Sequence, residues 1–302
     1  MHDIRQLDTA RDYHQRAATI YSAHLGPDHP TTLTSLTNLA GVFRNLGDLD
    51  AASSLDERVL ASRETRLGHD HPDVADSLNN LALDLASKGD FQAAQLHLER
   101  ALSIRESQLG FEHLHTAQTL TNLGGVLHEM GELDTARQYH ERARTIYETR
   151  LGPEHPDTAN SLNNLGLILA DQGDLEGARA LHERALAIRE TRLGPNHTDT
   201  AHSLHNLALV LAAQGDLQGA RTLHERALAI RETRLGPNHT DTAHSLHNLG
   251  LVLAAQGDLE GARSLFERAL VVHGTRLGDD HPTTVQIRDR LRQVVAMLES
   301  RS

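Results

Sequence analysis

The dipeptide Leu-Gly returns seven times at an unbroken spacing of 42 residues, at Leu25, Leu67, Leu109, Leu151, Leu193, Leu235 and Leu277. A fixed period of this length marks a chain that stacks one supersecondary unit on the next, each burying its apolar face only against its neighbours. Such an array offers a long interaction surface and no enclosed catalytic chamber.

The segment 151–192 serves as the type unit and reads as two helices separated by a tight turn. Leu162, Leu165 and Leu169, with Ile168 beside them, form the apolar stripe of a first amphipathic helix. Pro156 suits its first turn, where a missing N–H costs nothing. Gly173 ends this helix and Asp174 caps the next. There Leu175, Ala178, Leu181, Ala185, Leu186 and Ile188 form the apolar set, with alanines allowing close helix approach.

Read this way, the chain is one all-α array over 1–302, with full repeats at 25–66, 67–108, 109–150, 151–192, 193–234 and 235–276. Residues 1–24 match only a second helix and 277–302 only a first helix, a half-repeat at each end. The missing N-terminal partner helix has two readings, a capping helix or a chain that begins inside a longer array. Arg288 stands where earlier repeats place leucine, which suits a C-terminal cap facing water.

Composition narrows the function classes. A formal charge of -12 argues against a sequence-independent grip on nucleic acid or an anionic membrane, since both require a cationic surface. No run of eighteen apolar residues and no basic-then-apolar start is present, so the expectation is a soluble protein, most simply cytoplasmic. With no cysteine there is no thiol nucleophile or cysteine zinc site. The chain carries 22 histidines, enough to motivate an expectation of pH-tuned binding.

Asn164-Leu165-Gly166, then Gly173-Asp174, Ala178 and Glu183-Arg184-Ala185-Leu186, resemble the tetratricopeptide repeat. The period of 42 in place of 34, with the L-G-P-x-H-P turn, is similar to the long repeats of kinesin light chains and of many bacterial multi-repeat regulators. The usual aromatic positions are not filled by Trp or Tyr. The resemblance implies a right-handed α-solenoid of stacked antiparallel helix pairs. It also implies a non-enzymatic scaffold that holds a peptide or helix of a partner protein in a concave groove lined by first helices. No cofactor is expected, and the partner's identity is open.

Within that groove the resemblance gives ligand-backbone contact to a ladder of Asn38, Asn80, Asn122, Asn164, Asn206 and Asn248. An asparagine amide both donates and accepts, so it pairs with peptide backbone whatever the sequence; it serves equally well to tie helices together. Beside the ladder, Asp76, Gln118, Asn160, His202 and His244, with Asn79, Asn163, His205 and His247, are expected to add specificity. No Lys or Arg of the first helices enters the row of Thr34, Asp76, Gln118, Asn160, His202 and His244, so the groove reads as neutral to acidic.

Two further readings stand beside the scaffold. One makes the chain the recognition arm of a larger bacterial signalling protein with an upstream NTPase module; no G-x4-G-K-[ST] phosphate loop lies in these residues. The other makes His202, His205, His244 and His247 a metal site, an arrangement that near-duplication of two repeats explains without a metal. The histidines at 29, 71, 113, 155, 197, 239 and 281 read as turn or cap residues. The His-Glu pairs at His140, His182 and His224 lack the second histidine of H-E-x2-H.

Overall fold

The computed structural model describes residues 2–300, with side chains from residue 7 onward. Among the described residues fourteen α-helices account for nearly all of the chain. They divide into two compact units, 1–150 and 151–302.

The first unit contains α1 (His2–Leu25), α2 (Pro30–Leu46), α3 (Leu49–Leu67), α4 (Pro72–Ser87), α5 (Phe91–Gln108), α6 (Leu114–Glu129) and α7 (Leu133–Leu151). The second contains α8 (Pro156–Asp171), α9 (Leu175–Arg192), α10 (Thr198–Ala213), α11 (Leu217–Arg234), α12 (Thr240–Ala255), α13 (Leu259–Leu277) and α14 (Pro282–Glu299). Within each unit helices pack in chain order as stacked pairs, an all-α solenoid arrangement.

Local chemistry fixes where these helices start and stop. The seven turn histidines are N-caps: in each, ring Nδ1 accepts the backbone N–H two residues on, as His155 does from Asp157 at 3.2 Å. That bond requires the Nδ1 lone pair to be free. At the intervening turn, Gly173 takes φ +86°, a left-handed conformation open to glycine, and Asp174 then accepts from Gly177 N–H at 2.9 Å. Thr158 adds a clip, its hydroxyl donating to the Gly152 carbonyl at 2.9 Å.

The core is made of small residues at helix crossings and leucines between them. In the fourth repeat Ala159, Leu162, Ala185 and Ile188 form one cluster with Leu181 against it. Gly166 lies where an added Cβ would meet the His182 ring at 2.7 Å. Opposite that small residue the core partner changes with each repeat: Asp56, Leu98, His140, His182, His224 and Phe266. All six are buried. Fourteenth in line, α14 places Arg288 and Arg292 where Leu162 and Gly166 stand in the fourth repeat. The side chain of Arg292 is 72% exposed. Two arginines at these positions blunt the apolar face against further stacking.

Buried charge in the first unit is confined to one cluster. Arg44 of α2 bridges Asp56 of α3 at 2.9 Å and Asp84 of α4. Burial, then the neighbouring Asp84, pushes the Asp56 carboxyl up to about 7. The two acids therefore hold a proton between them and present one negative charge to one guanidinium.

Candidate functional site

The row expected to face a ligand runs along the first helices, and in the second unit it opens into a cleft of about 600 Å3. Asn160, Asn163 and Asn164 of α8 line one side and Thr198, Asp199 and His202 of α10 the middle. Leu235, His239 and Asp241 close the far end. Arg189 of α9 and Arg231 of α11 also reach in.

Those two arginines correct the expectation of a neutral-to-acidic groove. No cation sits on the first helices, but the last turns of the second helices supply them. Arg189 donates from Nη1 to the Asp199 carbonyl at 2.9 Å and the Ser203 hydroxyl at 2.8 Å, and from Nη2 to Asn160 Oδ1 at 2.6 Å. The same geometry appears in the first unit, where Arg105 meets Thr119 at 2.6 Å and Asp76 at 2.6 Å. The recurrence of arginine in Arg63, Arg105, Arg189 and Arg231 was the available signal. Only packing shows that each bridges one first helix to the next.

The asparagine ladder separates into three environments. Asn164 and Asn248 are half-buried, Asn38 is exposed, and none of their side-chain amides has a protein hydrogen bond among the described residues. Asn80 is half-buried with its carbonyl taken by Arg44 at 3.3 Å. Asn122 donates to Asn79, and Asn206 is buried with Nδ2 unpartnered. Gln118 and Asn160 are exposed and Asp76 is half-buried.

Several residues expected at the ligand face lie inside instead. Asn79 and Asn163 are 3% and 2% exposed. Asn163 Oδ1 accepts from His182 Nδ1 at 2.8 Å, which fixes the neutral tautomer of that ring. His247 is buried against Phe266, ring centres 5.8 Å apart. The i+3 step from Asn160 to Asn163 turns the side chain from the open face toward α9, and the same rotation buries His247.

The four candidate metal ligands are likewise drawn to different partners. His205 meets His224 at 5.3 Å between ring centres, and His244 stacks on His273 at 4.9 Å. His202 and His244 keep an exposed edge. Among the described residues no three His, Asp or Glu side chains gather as a metal-binding group. Desolvation dominates in lowering the histidines: His205 is pushed down to about 3 and His182, His224, His247 and His273 to about 4. Neutral, hydrogen-bonded or packed rings of this kind are core residues.

No helix is long and apolar enough to cross a membrane among the described residues.

Comparison with known proteins agrees with this architecture. The family model described as tetratricopeptide repeat matches residues 2–65, 36–107, 115–191, 161–233, 199–273 and 241–299. The chain is similar to BtubC (BKLC) from P. vanneervenii, with 25% identity and a TM-score of 0.63 over 76% of this chain and 92% of that one. A putative kinesin light chain from Podosopora anserina with nearly identical TPR-like repeats is 28% identical. That likeness has a TM-score of 0.57 over 68% of this chain and 97% of the other. The Cut9-Hcn1 structure, at 13% identity and a TM-score of 0.69 over 94% of this chain and 46% of that one, shares the fold alone. Among curated proteins none matches.

Proposed function

This chain belongs to the tetratricopeptide repeat family, a fold of non-catalytic interaction scaffolds, and from that premise we propose that it holds a peptide or helix of a partner protein in the Asn-lined cleft of its first helices. The observation that carries this reading is Asn164. It lines the polar cleft of the second unit, half-buried, with an amide that no protein group satisfies. A donor-acceptor pair in that position suits the backbone of an extended ligand. Leu167, one turn further along the same face, is half-buried and supplies an apolar contact. The uninterrupted 42-residue spacing through Leu151 supports a single array from 1 to 302.

Co-purification from a source lysate tests the proposal, comparing wild type with the Asn164→Ala, Asn248→Ala double variant and identifying retained proteins by mass spectrometry. A partner held by wild type and lost by an equally stable variant is the expected result. Identical retention by both proteins would remove these asparagines from the binding surface.

A further inference from the structure

An arginine near the end of each of four second helices carries the same role with different neighbours. Its Nη1 always serves the following first helix: for Arg231 the acceptors are the Asp241 carbonyl at 3.2 Å and the Ser245 hydroxyl at 2.7 Å. What faces its outer edge is decided by the residue 29 positions earlier. For Arg105 that residue is Asp76, an anion at 2.6 Å; for Arg189 it is Asn160, a neutral acceptor at 2.6 Å. For Arg231 it is His202, which accepts nothing from it.

Arg231 is nonetheless 7% exposed, and no carboxylate lies within ion-pair distance of it. Arg63, whose counterpart is Thr34, is partly exposed, so water serves it. A guanidinium removed from water needs compensation, and one left without an acceptor is costly. The Asp241 and Asp199 carboxylates line the same cleft, but each stands exposed beside its own capping histidine, His239 at 3.7 Å and His197 at 3.6 Å. Arg189, held by Asn160, adds a second buried cation to the cleft wall.

We propose that the cleft of the second unit is a carboxylate subsite, in which an anionic group of the bound partner docks on the free edge of Arg231 beside His202, in the place Asp76 takes on Arg105. This rests on the peptide-binding reading above and names the chemistry the cleft selects. The carboxylate comes either from an Asp or Glu side chain or from a chain terminus. Arginine is suited to both, since its planar fork matches carboxylate geometry.

The test uses the full chain and three small probes: N-acetylglutamate α-amide for an acidic side chain, N-acetylglycine for a terminus, and N-acetylglutamine amide as the neutral control. Binding is read from the Nε–Hε resonance of Arg231 by NMR and from the thermal midpoint. At least one carboxylate is expected to shift the resonance saturably, at least tenfold more tightly than the amide, and the tighter of the two identifies the source. His202→Asp is expected to raise the midpoint of the free protein and to abolish the carboxylate response, because it supplies the anion from within. An amide that binds as well as the carboxylates, carboxylates that leave Arg231 unmoved, or an undiminished response in a folded His202→Asp protein would overturn the proposal. Probe binding without any lysate partner would leave the subsite standing and count against the scaffold reading instead.

Discussion

Asn122 donates from Nδ2 to Oδ1 of Asn79 at 2.9 Å, joining α6 to α4 across one repeat boundary. One rung of the asparagine ladder is thus a structural tie, while Asn164 on the same helical position faces the cleft unpaired. Residues that look equivalent in sequence divide their work according to what stands in the preceding repeat.

That division has a measurable consequence. Asn122→Ala leaves the Asn79 carbonyl, 3% exposed, without its donor, and should cost about 1–2 kcal/mol. Asn164→Ala should stay within about 0.5 kcal/mol, since it breaks no protein bond. Urea midpoints of the two variants compare them directly; equal losses would refute the distinction.

Gly166 and His182 form a tight pair. A Cβ at 166 would stand 2.7 Å from the ring, and moving the ring sacrifices its bond to Asn163. Helix propensity favours alanine by about 1 kcal/mol, but overpacking at about 1–3 kcal/mol should win or cancel it. Gly166→Ala combined with His182→Leu copies the natural pair Ala82 and Leu98 and should recover stability. A double-mutant cycle by denaturant unfolding reads the coupling, and additive effects would dismiss it.

His224 is fully buried with neither ring nitrogen bonded to protein, opposite Ala208. His224→Leu again produces the Ala82–Leu98 combination and should stabilise the protein at pH 7 by about 1–3 kcal/mol. It should also weaken acid lability. The folded ring is held at about 4, below its unfolded value of 6.5, so the unfolded chain binds the extra proton between these values. Stability from this site is whole above pH 6.5 and is lost as pH falls toward 4. Midpoints measured from pH 7.5 to 4.5 should therefore drop less steeply in the variant.

Asp56 has the opposite sign. Its folded carboxyl, raised to about 7 from 3.8, keeps a proton that the unfolded chain releases. The stability it contributes is complete below pH 3.8 and is lost as pH rises through 7. Asp56→Asn mimics the protonated acid beside Arg44 and Asp84 and should flatten this dependence, leaving the variant more stable than wild type at pH 8. A variant less stable than wild type at pH 8 would show that Asp56 is ionised beside Arg44.

Sequence by itself determined the repeat, the helix pairs and their caps, because period, glycine, proline and capping side chains act over a few residues and need no tertiary partner. Gly173 and Asp174 end and start helices where their chemistry requires, and Leu162, Leu165 and Ile168 are buried as their spacing demands. The candidate site was legible only in part. Asn160 and Asn163 are three residues apart on one helix, yet the first is exposed and the second is 2% exposed beside His182. His140, His182 and His224, which as His-Glu pairs suggested nothing, are core residues, and Arg189 and Arg231, which lie outside the first-helix row, enter the cleft. Partners 14 or 29 positions away set these roles, through contacts between helices that no local pattern encodes. The physical reason is that a buried polar group takes its meaning from what satisfies it, and stacking alone decides which residue that is.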